Sequence, residues 1–224
     1  MRYLYVPVSR HEAAGDGFLN NVLQGWQPKT STSPDKQYVS RFLNQGLGDV
    51  GDNDRLYIVG HGALSGTSLQ TYGPRELYKL IKAEKLPKTH IRISLFSCYS
   101  GVATLGQGQC FAEAFAQEIK DRYKRAVVDG YLGAVNFSRD LVNPGLVPRG
   151  KQIARAFWLN GGNFEALGYE PAAGNYVQFL VNNGQVKRGS GEHWVLEKYT
   201  HTQPADSFSP SRDIEAYKPV ARPH

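Results

Sequence analysis

The pattern of apolar and polar positions over residues 1–135 alternates between two periods. Short apolar runs predict strands at residues 2–8, 56–59, 91–96 and 126–135, the last interrupted by Gly130. Between them, apolar residues at helical spacing predict helices at residues 17–24, 37–43, 74–86 and 111–123. Strands that alternate with helices predict an α/β fold, in which helices cover both faces of a mostly parallel central sheet.

The last third of the chain has a different pattern. Residues 176–181 and 185–188 flank the turn sequence Asn182-Asn183-Gly184, and with residues 193–199 they predict antiparallel hairpin strands. The end of the chain is rich in proline, serine and charge, which is typical of a tail or of a segment that wraps over the domain. We therefore divide the chain into a core at 1–140, a C-terminal part of the same domain at 141–202, and a tail at 203–224.

The composition is that of a globular protein. The 224 residues are 41% hydrophobic, which is enough for one sizeable core and too apolar for a mostly disordered chain. Two cysteines, Cys98 and Cys110, are too few for a disulfide-stapled mini-fold or a cysteine-based zinc module. No apolar window is long enough for a membrane span, and the first residues lack the apolar region of a Sec signal peptide. We expect a cytoplasmic protein, or one exported by another route.

The net charge of +6 permits binding to a polyanion but does not require it. The basic residues are scattered along the chain. Their densest groups, at residues 120–125 and 187–188, are short and mixed with acids or glycines, which favours a solvated surface. The charge pattern therefore argues against nucleic acid as a partner.

Three familiar patterns do not fit the chain. Residues 46–51 match G-x-G-x-x-G but follow a helical pattern and precede a strand, which is the reverse of a dinucleotide site. No G-x-S-x-G sequence is present, so a serine nucleophile elbow is not supported. His193 and His201 lie too far apart, and too far from other ligands, for a metal site. The sequence predicts neither a metal nor another cofactor.

Chemically reactive side chains follow two successive strands. Gly60-His61-Gly62 closes the strand at 56–59, and Cys98 lies in the segment 97–101 that closes the next strand. Functional groups in open α/β sheets gather at the carboxyl ends of strands, so His61 and Cys98 come within reach if these strands are neighbours. A nearby imidazole can lower the pKa of a thiol or protonate a leaving amine. The N–H groups of Gly62 and Cys98 could then stabilise an oxyanion.

Two further residues have open roles. Asp129 lies in the predicted strand beside Gly130, where it either binds substrate or caps a bend. Cys110 begins a predicted helix, which favours packing, although a disulfide with Cys98 is conceivable under oxidation.

The motifs around His61 and Cys98 resemble those of the caspase-like cysteine peptidases. Y-I-V-G-H-G, followed 37 residues after its histidine by the cysteine of S-L-F-S-C-Y-S-G, is similar to the pattern of metacaspases and of the self-processing protease domains of bacterial toxins. The resemblance covers residues 1–135 and implies a caspase-like α/β/α sandwich. It also implies that Cys98 is the nucleophile, His61 the general acid/base, and Gly62 an oxyanion donor. Metacaspases have an aspartate where this chain has Phe96, so their preference for basic residues does not carry over.

These observations lead to one expected function and two alternatives. We expect a cysteine endopeptidase that hydrolyses a protein or peptide through a thioester, either as a cytoplasmic enzyme or as a bacterial secreted effector or toxin. The alternatives are a basic polyanion-binding or toxin module without protease activity, and a cysteine-dependent acyl transferase. No residue identifies an activating ligand.

Overall fold

A computed structural model describes residues 1–25, 38–62, 68–104, 109–131, 134–136, 155–160, 163–169, 176–191, 194–196 and 219–221. The helices in these ranges are α1 (Arg10–Gly15), α2 (Gly17–Gly25), α3 (Pro74–Ala83) and α4 (Phe111–Ile119). The strands are β1 (Arg2–Val6), β2 (Tyr38–Phe42), β3 (Arg55–Val59), β4 (Arg92–Phe96), β5 (Val102–Thr104), β6 (Val127–Tyr131), β7 (Ala134–Asn136), β8 (Arg155–Asn160), β9 (Asn163–Tyr169), β10 (Tyr176–Asn182), β11 (Gln185–Gly191), β12 (Trp194–Leu196) and β13 (Pro219–Ala221). None of the described helices is both long and apolar enough to cross a bilayer.

The main sheet has seven strands in the order β11-β10-β6-β4-β3-β1-β2. Strands β2, β1, β3, β4 and β6 run parallel to one another. At one edge of the sheet, β10 pairs antiparallel with β6, and β11 pairs antiparallel with β10. The predicted α/β class with a mostly parallel sheet is therefore confirmed. The smaller sheets are β13-β12-β5 and β7-β8-β9.

Each face of the sheet packs against its own helices. Side chains alternate along a strand, so Tyr3 and Tyr5 of β1 belong to one core cluster and Leu4 and Val6 to the other. The first cluster includes the apolar residues of α3 and α4, and the second includes those of α1 and α2. Burial on both faces explains why the central strands are apolar at consecutive positions.

The predicted hairpin at the sheet edge is present. Strands β10 and β11 pair with Asn182 opposite Gln185, and two residues connect them. These residues, Asn183 and Gly184, have φ angles of 47° and 83°. Left-handed backbone at both central positions is the geometry of a type I′ turn, which the Asn-Gly sequence favours.

The predicted helix at 37–43 is wrong, because Tyr38–Phe42 form strand β2. The apolar positions of this short segment fit either period, and its aromatic and β-branched residues, Tyr38, Val39 and Phe42, favour a strand. β2 pairs with β1 at the edge of the sheet. The unpredicted helix α1 has Ser9 as its N-cap residue, and the side chain of Ser9 accepts a hydrogen bond from the N–H of Glu12 in a capping box.

Gly130 corrects a second prediction, because it lies inside β6 and does not interrupt it. A Cβ at Gly130 would lie 2.9 Å from the Cα of Gly101, so the glycine permits a close approach of the turn after Cys98. Of the predicted tail, residues 203–218 and 222–224 lie outside the described residues, and Pro219–Ala221 pair with β12. The division at 140 and 202 stays a prediction.

Candidate active site

His61 and Cys98 follow neighbouring parallel strands. Val59 at the end of β3 pairs with Phe96 at the end of β4, and the N–H of Gly60 donates to the carbonyl of Phe96 at 3.3 Å. Helix α3 connects the two strands, as the alternation of elements predicts. Both loops therefore leave the sheet at the carboxyl ends of its parallel strands, where functional groups gather.

The two loops touch at Gly62. A Cβ on this residue would lie 2.0 Å from the carbonyl oxygen of Cys98, closer than any side chain can approach. The motif predicts that Gly62 is an oxyanion donor. The structure adds an internal reason, since only glycine lets the backbone after His61 pack on the backbone of Cys98.

Hydrogen bonds fix the turn that carries Cys98 between β4 and β6. The hydroxyl of Ser100 donates to the carbonyl of Leu95 and accepts from the N–H of Tyr131, both at 2.9 Å. The N–H of Gly101 donates to the carbonyl of Tyr131 at 2.8 Å. Tyr99 has a φ of 56°, the left-handed region that is rare for a bulky residue. The surrounding bonds hold the turn in this unusual backbone conformation, as is common at functional sites.

The backbone of His61 is held by Gln70. The N–H of His61 donates to Gln70 Oε1 at 2.7 Å, and the N–H of Gln70 donates to the carbonyl of His61 at 2.6 Å. The imidazole lies beside the ring of Phe18, with the ring centroids 4.9 Å apart. Its side chain is 52% exposed, so a substrate can reach the ring.

Asp16 is a third member of the site. Its Oδ2 lies 2.8 Å from Nε2 of His61, and its Oδ1 accepts a hydrogen bond from the N–H of Leu19 at 2.9 Å. Although burial alone would raise the pKa of Asp16, the bonds from Leu19 and His61 bring this pKa below its ordinary value. An ionised carboxylate at Nε2 favours the tautomer that carries a proton there. Nδ1 is then the ring nitrogen left for chemistry with the thiol.

Sequence reasoning did not find Asp16. Its single local signal is that an aspartate lies immediately before α2, where it caps the helix through Leu19. Nothing in the sequence connects residue 16 to His61. The contact depends on the docking of α1 and α2 against the sheet.

The two cysteines have different surroundings. Neither forms a disulfide among the described residues, and Cys98 is partly exposed whereas Cys110 is buried. Burial raises the pKa of Cys110 to about 12, so this thiol stays protonated at neutral pH. Cys110 is the N-cap residue of α4 and belongs to the core, as its predicted packing role requires.

Asp129 lies within the sheet. It pairs with Ser94 of β4 and Gln178 of β10, and its carboxylate accepts hydrogen bonds from both side chains, at 2.9 and 2.8 Å. Burial raises the pKa of Asp129 in spite of these bonds. Ser94 lies two residues before the end of β4, so Asp129 lies inside the sheet and not at the strand ends that carry His61 and Cys98. The predicted role of Asp129 in substrate binding stays a prediction.

The glycine-rich segment at 46–51 surrounds an internal carboxylate. Glu84 is buried and accepts hydrogen bonds from the N–H groups of Asn44 and Gly46, at 2.6 and 2.7 Å, and from the hydroxyl of Tyr5 at 3.2 Å. Within the segment, the N–H of Gly46 donates to Glu84 and that of Gly51 donates to Asp54 at 2.8 Å, so two of its N–H groups are used within the protein. The segment follows β2 and not the predicted helix, but it leads into β3 and so does not begin a helix as a dinucleotide-binding loop does.

A cleft lies at the amino-terminal ends of the parallel strands, opposite the ends that carry His61 and Cys98. Its volume is about 760 Å³, and it is bordered by the residues before β3, β4 and β6. Its charged lining consists of Lys88, Arg122, Lys124, Arg125, Asp52 and Asp121. The basic group at 120–125, interpreted from the sequence as solvated surface, thus borders a concave surface. Within the described ranges, no three His, Cys, Asp or Glu side chains form a metal-binding group.

No family model matches the chain, and a search of the curated proteins finds no significant match. The functional assignment therefore rests on the motifs and the geometry of His61, Cys98, Gly62 and Asp16.

Proposed function

We propose that the protein is a caspase-like cysteine endopeptidase with Cys98 as its nucleophile. The observation that carries this proposal is the position of His61 and Cys98 at the carboxyl ends of adjacent parallel strands, with their backbones in contact through Gly62. The hydrogen bond from His61 to Asp16 adds the orienting carboxylate that activated nucleophiles commonly use.

The proposed reaction has two stages. Cys98 transfers its thiol proton to His61, the thiolate attacks the scissile carbonyl carbon, a C–S bond forms, and the carbonyl electrons move to the oxygen. The N–H groups of Gly62 and Cys98 stabilise this oxyanion. The intermediate then collapses, and His61 protonates the leaving amine, which produces a thioester. Water, deprotonated by His61, attacks the thioester carbonyl, the C–S bond breaks, and the acid and the Cys98 thiolate are released.

Asp16 has a supporting role in this scheme. Its carboxylate holds the proton of His61 on Nε2 and stabilises the imidazolium that forms when the ring accepts a proton. The substrate is a protein or peptide. The resemblance to toxin self-processing domains extends the proposal to an effector or toxin.

The test is labelling by an electrophilic peptide probe at neutral pH, followed by profiling of cleaved peptides. Cys98→Ala should abolish labelling and cleavage. Cys110→Ala is the matched control, because it removes the other thiol and should leave both intact. Cleavage that survives Cys98→Ala would refute the proposal. An acyl-enzyme that passes to an added amine faster than to water would indicate an acyl transferase.

A second candidate function is polyanion binding, favoured by the cleft bordered by Lys88, Arg122, Lys124 and Arg125. Binding of this kind weakens steeply with salt. The test is a salt titration of oligonucleotide binding with the double variant Lys124→Gln/Arg125→Gln and with Cys98→Ala. Loss of binding in the first variant alone would support this function, and no binding in the wild type would refute it.

A further inference from the structure

Ser97 has a buried hydroxyl that the proposed chemistry does not use. The residue is 1% exposed, and its Oγ has no hydrogen-bond partner among the described residues. The neighbouring serines differ, because Ser94 donates to Asp129 and Ser100 donates to Leu95. A buried hydroxyl without a partner is destabilising, since it loses its bonds to water and gains none in return. A group retained at that cost calls for a functional explanation.

This hydroxyl lies at the contact between the two loops of the site. A Cβ placed on Gly62 would lie 2.5 Å from Ser97 Oγ. Since a Cα–Cβ bond is about 1.5 Å long, the hydroxyl oxygen is at most about 4 Å from the Cα of Gly62. Ser97 also directly precedes Cys98. The unpartnered donor is therefore next to both residues whose N–H groups are assigned to the oxyanion.

We propose that the Ser97 hydroxyl donates a hydrogen bond to the oxyanion that forms during acylation of Cys98. This inference rests on the proposed function. As the C–S bond forms, the carbonyl electrons become an oxyanion lone pair, and the hydroxyl shares its proton with that oxygen without transferring it. The hydroxyl gains its partner in the transition state. An interaction stronger there than in the free enzyme accelerates the chemical step.

A donor that is satisfied only during reaction has a distinctive signature. Removal of the Ser97 hydroxyl should slow acylation and should not lower the stability of the resting protein. Ser94 provides the matched control, since it is a buried serine on the same chain segment whose hydroxyl already bonds to Asp129. Ser94→Ala should lower stability and leave acylation unchanged.

The experiment compares two reactions of Cys98 in the full-length protein. Acylation by p-nitrophenyl acetate passes through an oxyanion and releases p-nitrophenolate, whereas alkylation by iodoacetamide displaces iodide and forms no oxyanion. Both rates are measured for the wild type, Ser97→Ala and Ser94→Ala, with Cys98→Ala as the background. Thermal unfolding gives Tm for each protein.

We expect Ser97→Ala to lower the acylation rate about 100- to 1,000-fold, the range for loss of one oxyanion donor. Its alkylation rate should change less than about twofold, and its Tm should equal or exceed that of the wild type. Equal loss of both rates would overturn the role of Ser97, because it would indicate a displaced thiol. Unchanged acylation would also overturn it. A wild-type protein that is alkylated but not acylated at Cys98 would overturn both this role and the proposed function.

Discussion

The hydrogen bond between Asp16 and His61 leads to a prediction that separates catalysis from helix capping. Asp16→Ala removes both contacts of the carboxylate, to Nε2 of His61 and to the N–H of Leu19. Asp16→Asn keeps an oxygen acceptor and a residue type that caps helices well, but it removes the charge. The two variants therefore share the loss of the anion and differ in the loss of the cap.

The expected magnitude follows from these contacts. A hydrogen bond to a charged group contributes about 1.5–3 kcal/mol, equivalent to about 10- to 150-fold in rate. Because the His61 side chain is 52% exposed and that of Asp16 is 27% exposed, solvent screening places the expectation near the lower end. We expect about a 10- to 30-fold decrease in acylation for Asp16→Ala and a smaller decrease for Asp16→Asn. Loss of the cap should lower the free energy of unfolding of Asp16→Ala by about 1 kcal/mol more.

The pH dependence has a definite sign. The pKa of Asp16 is lower in the folded protein than its ordinary value of 3.8, so the carboxylate stabilises the folded state above that pH. This stabilisation is lost as the pH falls from 3.8 through the lower folded value. The difference in unfolding free energy between the wild type and Asp16→Asn should therefore shrink over that interval.

The assay combines acylation rates of Cys98 at neutral pH with urea unfolding from pH 2 to pH 7. If Asp16→Ala shows the predicted loss of stability but an unaltered acylation rate, the role of Asp16 in orienting His61 is refuted. Asp16 would then act only as a helix cap. A stability difference that stays constant with pH would refute the ion-pair reasoning.

Three further predictions follow from the geometry. Gly62→Ala introduces a Cβ 2.0 Å from the carbonyl oxygen of Cys98, so the displaced turn should lower acylation about 100-fold in a rate measurement. Glu84→Gln places an amide against backbone N–H donors and should lower the free energy of urea unfolding by about 2–4 kcal/mol; a change below about 0.5 kcal/mol would contradict this reasoning. In the native protein, a thiol reagent followed by mass spectrometry should modify Cys98 and spare Cys110, which is 1% exposed, whereas both should react in urea. Modification of Cys110 in native protein would contradict its burial.

The sequence was sufficient for the relations that depend on strand order. Consecutive apolar residues identify β3 and β4 as interior strands, and one helix between them makes them parallel neighbours, which brings His61 and Cys98 to one edge. No long-range information is needed for that step. The Asn183-Gly184 turn is equally local, because its backbone angles follow from residue type.

The remainder depends on packing that no local pattern encodes. Residues 37–43 have an apolar spacing that fits a helix, and the available edge of β1 decides in favour of a strand. Asp16 reaches His61 across 45 positions in the chain, and its capping role alone would have been sufficient to explain it. The unpartnered state of Ser97 also becomes visible only once its neighbours are in place.

Asp16 lies in the junction between α1 and α2. The proposed chemistry therefore depends on how this pair of short helices is held in place. These helices have six and nine residues, too few to be stable alone, so they persist through Ala13, Leu19 and Val22 in the second core cluster. If this pair of helices undocked, His61 would lose the carboxylate of Asp16. The sheet would still hold His61 and Cys98 at the ends of adjacent strands. The fraction of active molecules would therefore depend on a local opening of α1 and α2, separate from global unfolding. The few apolar side chains that these helices bury in the second core cluster would set that equilibrium.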